Sequence, residues 1–222
     1  MPADPAPPTV PEVIARRRST RAFDPDRPLD DETLRRVLGL ATLAPSSFNL
    51  QPWRFVVVRS RRNRERLRAA SYNQPKVTEA PVMLIVLGYK GAHATHLDPM
   101  LERRVALGMP AEAAAEVKGR VSATMAEHPD PATWALRSTM LAVGTLVVAA
   151  EALGVAATVM EGFDPARVRE AFGVPDDHAI CCLVALGHAL KADPFPGRFS
   201  LEETCYEEHF GQPWTLGEPG PA

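Results

Sequence analysis

The chain has 222 residues, 45% of them apolar and 23% charged, with a formal net charge of -2; this is the composition of an ordinary folded protein rather than a disordered one. A balance so near neutral excludes a global attraction to nucleic acid or to acidic lipid, so any anion site has to be local. Three cysteines, Cys181, Cys182 and Cys205, two of them adjacent in an apolar run, exclude a disulfide framework and suit buried thiols in a reducing cytoplasm.

Residues 1–8, MPADPAPP, lack the apolar core of a signal peptide or anchor and predict a disordered arm ahead of one domain over 9–222. Thr9 and Glu12 form a capping-box pair with Pro11 in the first turn, opening a short helix to about Arg17. The run RRRSTRAF at 16–23 follows. Charge alone makes it a solvated basic cluster, but Ser19 and Thr20 set short donors beside guanidinium forks, a mixture that suits a phosphate.

Asp30 caps a second helix whose Leu34, Val37, Leu38 and Ala41 keep helical spacing, and Pro45 ends it. The stretch LAPSSFNLQPWRFVVV at 43–58 then sets Ser46, Ser47, Asn49 and Gln51 between Pro45 and Pro52. Capping and turn formation explain one or two of these four side chains, not all of them. Trp53–Val58, rich in β-branched and aromatic residues, predicts a strand. A basic helix over 61–70 leads to SYNQPKVTEAP at 71–81, where Asn73, Gln74 and Lys76 by themselves make a turn with a surface lysine. Residues 82–87 are a fully apolar strand. Residues 91–133 are polar and alanine-rich, broken by Pro99, Pro110, Pro129 and Pro131, and an insertion of this kind predicts a lid or specificity surface. Within it His93, His96 and Asp98 could be imagined around a metal, yet so hydrophilic a segment favours surface histidines.

The segment at 140–160 is long enough to span a membrane. Glu151 and Gly154 interrupt it and no basic flank follows, so the sequence predicts a buried core or dimer-interface helix over about 132–153. Residues 156–160 are a third strand. In VMEGFDP at 159–165, Met160, Glu161 and Gly162 precede the cap Asp164 and Pro165, and the glycine allows a ligand close to free backbone N–H groups; a plain strand-to-helix turn reads equally well. A helix to about Phe172 and a strand over 180–186 follow, in which Cys181 and Cys182 are expected to point to opposite, covered faces and to be inert. The tail, 191–222, has little apolar periodicity but carries Phe195, Arg198, Phe199, Tyr206, Phe210 and Trp214, an arm suited to packing on a second subunit. Strands and helices mixed without regular βαβ units predict an α+β sandwich. No G-x-G-x-x-G, P-loop or nucleophile-elbow pattern occurs, and no side-chain nucleophile or acid/base pair stands out. That directs attention to chemistry done by a bound cofactor.

The segments IARRRSTRAF, LAPSSFNLQPWRFVVV, YNQPKVTEAPVMLIV, EALGVAATVMEGFDP and GRFSLEE, in that order, resemble the nitroreductase family of FMN-dependent oxidoreductases over about residues 10–214. The resemblance implies an α+β, nitroreductase-like sandwich with a central, mostly antiparallel sheet flanked by helices, in a homodimer with exchanged C-terminal arms. It implies FMN at the subunit interface. Arg17, Arg18 and Ser19 would hold its phosphate with Arg198; Arg21 and Lys76 would lie by N1/O2; Asn73 would bond the pyrimidine edge. The loop of Met160, Glu161 and Gly162 would offer backbone N–H groups to N5 and O4, and Pro45, Ser46, Ser47 and Asn49 would come from the partner subunit. Many relatives have a lysine two residues before the late arginine; this chain has Pro196 there, so phosphate binding would lean on Arg198 and the first cluster. The implied activity carries reducing equivalents from NAD(P)H to a nitroaromatic, quinone or related conjugated acceptor in ping-pong order, in the cytoplasm and with no metal. Flavin fragmentation, reductive dehalogenation and a non-catalytic flavin-binding module are the alternatives on the same fold.

Overall fold

The computed structural model describes residues 7–214. Its elements, in chain order, are α1 (Val10–Arg16), α2 (Asp31–Ala41), a 3₁₀ turn (Ser47–Asn49), β1 (Trp53–Val58), α3 (Arg61–Ala69), α4 (Lys76–Glu79), β2 (Val82–Tyr89), α5 (Ala92–Thr95), α6 (Leu97–Ala106), α7 (Ala111–Ala126), α8 (Pro131–Ala152), β3 (Ala156–Met160), α9 (Pro165–Phe172), β4 (His178–Gly187) and α10 (Leu201–Thr204). The expected arm at 1–8 lies mostly outside the described residues, as does the end of the tail beyond Trp214.

Local chemistry starts and stops these helices. The Thr9 N–H and hydroxyl both donate to Glu12 Oε2, at 2.7 and 2.8 Å, closing the first turn of α1. Asp30 accepts from the Thr33 N–H and Asp164 from the N–H groups of Ala166 and Arg167. Gly173, at φ 64°, ends α9 in the left-handed conformation that a glycine enters freely. Pro99, read from sequence as a breaker, lies in the first turn of α6, where no N–H is needed.

The four strands form one sheet in the order β1-β2-β4-β3, every neighbouring pair antiparallel. The molecule is an α+β sandwich. On one face α3, α4 and α9 bring Leu67, Val77 and Val168 onto Met83, Ile85 and Leu183. On the other, α2 and α8 bring Val37, Val143 and Leu146 onto Leu84, Val86 and Val184. With both faces covered, β2 reads as an unbroken apolar run rather than an alternating one. The same geometry explains α8. Its length and mean hydropathy of 1.4 would pass for a membrane span, but its Ala135, Val143, Leu146 and Ala150 side packs inside this fold. Helices α5–α7 build a satellite cluster of Leu97, Leu101, Val121 and Met125 against Trp134 at the start of α8.

One strand departs from the sequence expectation. The register between β2 and β4 slips between Val86 and Leu87: Val86 faces Cys182, and Leu87 faces Ile180. Cys181 is thus an extra residue in a β-bulge, and a bulge cancels the alternation of side chains. Cys181 and Cys182 therefore both pack on the α2/α8 face rather than on opposite faces. Burial pushes both thiols up to about 12, which removes the reactive thiolate at neutral pH.

Candidate functional site

Three segments far apart in sequence meet at the β3 edge of the sheet. Ser19 pairs with Ala157 in a parallel bridge, and the Thr20 N–H donates to the Ala157 carbonyl at 3.2 Å. The Thr158 hydroxyl donates to the Thr20 carbonyl. Residues 19–21 therefore run along β3 as a short added strand, Thr20 buried and its neighbours Ser19 and Arg21 exposed. Phe23 is buried, and its N–H reaches Glu79 of α4, which ties this segment to the Lys76 helix. The 71–76 loop joins from the other side. Gln74 Nε2 donates to the Gly162 carbonyl at 2.7 Å, and the Asp164 N–H donates to the Ala70 carbonyl at 2.8 Å. A Cβ on residue 162 would stand 3.0 Å from Gln74 Nε2, so glycine there is what lets the amide close on the loop.

Most of the candidate residues at this edge are brought together, and some are already engaged. Arg21 donates its N–H to Asp193 at 3.0 Å and places Nε 3.6 Å from the same carboxylate. Arg18 Nη1 donates to the carbonyls of Ala15 and Arg17, closing the end of α1. Arg18 also stands 4.9 Å from the centre of the Phe195 ring, and Arg198 stands 5.6 Å from the same ring. The late arginine is therefore brought near the first arginine cluster through an aromatic ring that both cations approach.

The 45–49 loop is not brought to this edge. It precedes β1, the opposite edge strand, three strand spacings or roughly 14 Å from β3. Its hydrogen bonds are its own: Ser46 Oγ accepts from the Gln51 N–H at 3.0 Å, the Asn49 N–H donates to the Ser46 carbonyl at 2.9 Å, and Gln51 Nε2 donates to Asn49 Oδ1. Pro45, Ser47 and Asn49 are exposed. Phe48, Asn49 and Gln51 have φ of 56°, 57° and 47°, and Tyr72 and Asn73 of 51° and 57°. Left-handed backbone is uncommon for bulky side chains, and clusters of it mark sites whose shape matters. Of the six such non-glycine residues in the described chain, five fall in these two loops.

The same corner holds residues that sequence reasoning passed over. His96 is half-buried, not a surface histidine; Nδ1 lies 2.7 Å from the Leu50 carbonyl and Nε2 2.6 Å from Arg54 Nη2. Asp98 pairs instead with Lys118 at 2.8 Å. The histidine spacing was a visible signal, but its partner Arg54 lies 42 residues away.

The model of the nitroreductase family matches residues 14–188, and the chain belongs to that family. It is 39% identical over 187 residues to the NADH dehydrogenase of Thermus thermophilus, covering 84% of this chain and 90% of the relative. It is 27% identical over 188 residues to the oxygen-insensitive NAD(P)H nitroreductase of Enterobacter cloacae, covering 79% and 87%. A solved nitroreductase structure from Exiguobacterium sibiricum, in complex with FMN, superposes with a TM-score of 0.84 at 26% identity, covering 90% of this chain and 98% of that one.

Proposed function

We propose that the protein is an FMN-dependent NAD(P)H oxidoreductase working as a homodimer. The observation that carries this reading is the meeting of residues 17–21, 71–76 and 160–162 at the β3 edge, held by the Ser19–Ala157 bridge, the Phe23–Glu79 bond and the Gln74–Gly162 bond. The donor set suits a molecule with a phosphate at one end and a polar ring at the other. Arg17, Ser19 and Arg198 would hold the phosphate, with Arg18 fixing Arg198 through Phe195. Lys76 would place positive charge by N1/O2, shared with Arg21 once Asp193 is set against it. Asn73 would bond the pyrimidine edge. The Met160–Glu161–Gly162 loop, already shaped by Gln74, would present its N–H groups. Bound there, FMN would supply the redox chemistry, taking hydride from NAD(P)H and passing reducing equivalents in ping-pong order to a nitroaromatic, quinone or related conjugated acceptor.

What one chain leaves uncovered supports the dimer reading. Leu141 on α8 is 50% exposed, and Phe199 and Phe210 of the tail are 78% and 90% exposed, large apolar side chains that a second subunit would cover. A second copy covering it would bring its own Pro45, Ser46, Ser47 and Asn49 to the flavin, and helices α5–α7 would stand over the acceptor as the specificity surface. The test is the visible spectrum of the purified protein before and after NADH and NADPH, with sedimentation in parallel. A flavin spectrum bleached by either nucleotide, on a dimer, is the expected result. Bound FMN that neither nucleotide bleaches would make the protein a flavin-binding module, and a stable monomer holding full FMN would remove the shared site.

A further inference from the structure

Beside the 45–51 loop, between the entry to β1 and helix α6, lies a cavity of about 290 Å³. Asn49, Gln51, Arg54, His96, Met100 and Arg103 line it, and no carboxylate does. Four other cavities that include basic residues or lie near them each hold an acid: Asp98 or Glu102, Glu151 or Asp193, Asp31, and Asp98 again. Among the described residues neither Arg54 nor Arg103 is in a salt bridge. Two guanidiniums thus face one concave space without a counter-charge, in a protein whose overall balance is slightly acidic.

Arg54 is also held in place. The Leu50 carbonyl can only accept, so His96 carries its hydrogen on Nδ1 and leaves Nε2 to accept from Arg54 Nη2. Arg54 Nη1 donates to the Trp53 carbonyl at 2.8 Å, and the guanidinium carbon lies 5.8 Å from the centre of the Tyr89 ring. Tyr89 is itself stacked on His178 at 4.8 Å, and Asp177 is on the far side, bonded to His178 Nδ1. Two of the five guanidinium N–H groups are spent on holding the side chain, and three remain. Opposite, His96, Met100 and Arg103 recur at helical spacing along and just before α6, so Arg103 enters the cavity from a rigid element.

We propose that this cavity is a subsite for a small anionic group, a carboxylate or a phosphoryl, carried by a molecule that the active site takes up. Two arginine forks lining one cavity match the planar or tetrahedral oxygens of such a group. The volume admits one anionic group and a ring's worth of substrate, not a whole dinucleotide. Asn49 lines the cavity and also belongs to the loop assigned to the partner's flavin, so the subsite begins where that contact ends; this link to the active site rests on the flavoenzyme reading.

The experiment is equilibrium binding of benzoate and of its neutral analogue benzamide, with NADH and NADPH titrated in parallel, to the dimer as purified and to Arg54→Gln, Arg103→Gln and Arg54→Lys. Benzoate is expected to bind the unaltered protein more tightly than benzamide, and each glutamine variant to weaken benzoate about ten- to a hundred-fold with benzamide unmoved. Arg54→Lys should restore part of the loss, which a merely misfolded variant would not show. Weakening of the dinucleotides but not of benzoate would assign the subsite to the donor's phosphates. Weakening of benzoate alone assigns it to a carboxylated acceptor. Equal affinity for benzoate and benzamide, with dinucleotide binding unchanged in the variants, or losses that strike every ligand alike, would overturn the proposal. Binding is read whether or not the enzyme turns over, so a protein that binds benzoate through Arg54 but lacks a reducible flavin would fail the functional reading and keep this one.

Discussion

The two edges of the sheet both carry loops rich in short polar side chains, and they are built on opposite plans. At the β3 edge each polar loop is bonded to a different part of the chain: Ser19 to Ala157, Gln74 to Gly162, Phe23 to Glu79. At the β1 edge the polar side chains of the loop bond within it, Ser46 to Gln51 and Gln51 to Asn49, with Phe48 and Gln51 in left-handed backbone, and a single backbone carbonyl, that of Leu50, ties it to His96. A loop tied to its neighbours has its position set by the fold. A self-bonded loop has its shape set locally and keeps its outer side chains free for something outside the chain. The difference suits the proposed site divided between two subunits, in which a fixed half would bind and an outward half would complete a neighbour.

The largest effects should fall on the fixed half and should divide within it. In the proposed site Arg17→Ala would remove a charge-assisted hydrogen bond to the phosphate, about 1.5–3 kcal/mol, so FMN affinity should drop about ten- to a hundred-fold while the flavin potential barely moves. Lys76→Ala would remove the positive charge proposed to lie by N1/O2, so the reduced flavin should lose stabilisation and the potential fall, with less cost in affinity. Measuring FMN dissociation and potential in both variants decides it; a larger potential shift in Arg17→Ala would mean the two ends are assigned the wrong way round.

Next in size is a test of how the fixed half is held. A Cβ on Gly187, the last residue of β4, would lie 2.5 Å from Pro81 Cδ and 3.2 Å from Phe23 Cδ1. A proline ring cannot swing aside, and Phe23, bridged to Ala189, anchors the end of the 19–23 segment whose Ser19 pairs with β3. Gly187→Ala should therefore cost about 1–3 kcal/mol, lowering the melting temperature by roughly 2–4 °C per kcal/mol, and should weaken FMN by displacing Ser19. Melting curves with and without FMN separate the two; an unchanged melting temperature would show that the close packing at this edge is not what positions the segment.

The strands were readable because local composition and tertiary demand agree: β-branched residues at Trp53–Val58, and an unbroken apolar run at Val82–Leu87 where helices cover both faces. The bulge at Cys181 was not readable. The alternation rule assigns Cys181 and Cys182 to opposite faces, and only the pairing of β4 with a particular register of β2 overrides it. The segments of the β3 site were visible as local clusters, and a family resemblance supplied their assembly. The individual contacts were not visible, because each joins residues remote in sequence: Arg21 to Asp193, Gln74 to Gly162, Arg54 to His96. Gln74 read as a turn residue and is a clasp; Arg18, expected at the phosphate, also closes the end of α1 through Nη1.

The outward half should respond more weakly and in a different currency. Ser46→Ala removes the acceptor for the Gln51 N–H, a bond worth about 1 kcal/mol, in a loop whose one core side chain, Leu50, keeps its packing against α6 and Trp134. Melting temperature should change little, while in the proposed dimer FMN should dissociate faster because the loop that would complete the neighbour's site loses its shape. Dissociation kinetics of FMN measure this. A fall in melting temperature as large as that of Gly187→Ala would show that the loop is part of the fold's own support and erase the contrast between the edges.

The smallest expected effect is a pH dependence confined to the β1 corner. Desolvation lowers the pKa of His96 below its ordinary 6.5, the Leu50 carbonyl works against this, and the positive charge of Arg54 and the neighbouring His178 add to the lowering. Arg103 lines the same cavity; on the other side of His178, Asp177 is the nearest acid in the stack. The folded state thus holds a proton on His96 less well than the unfolded chain does. The stability tied to neutral His96 is fully present above about pH 6.5 and is lost as the pH falls below it, through the window between the unfolded and the lowered folded value. The geometry gives the same sign. A protonated ring donates at both nitrogens, so Nε2–H would face the Arg54 N–H across the present 2.6 Å contact and the pair would part. Melting temperature should therefore fall more steeply between pH 7.5 and about 5.5 in the unaltered protein than in His96→Gln. Saturating benzoate should flatten the unaltered curve, because an anion between Arg54 and Arg103 favours the charged ring. Identical slopes in the two proteins would mean that His96 opens to water at no cost, and that Arg54 is not held as its contacts imply.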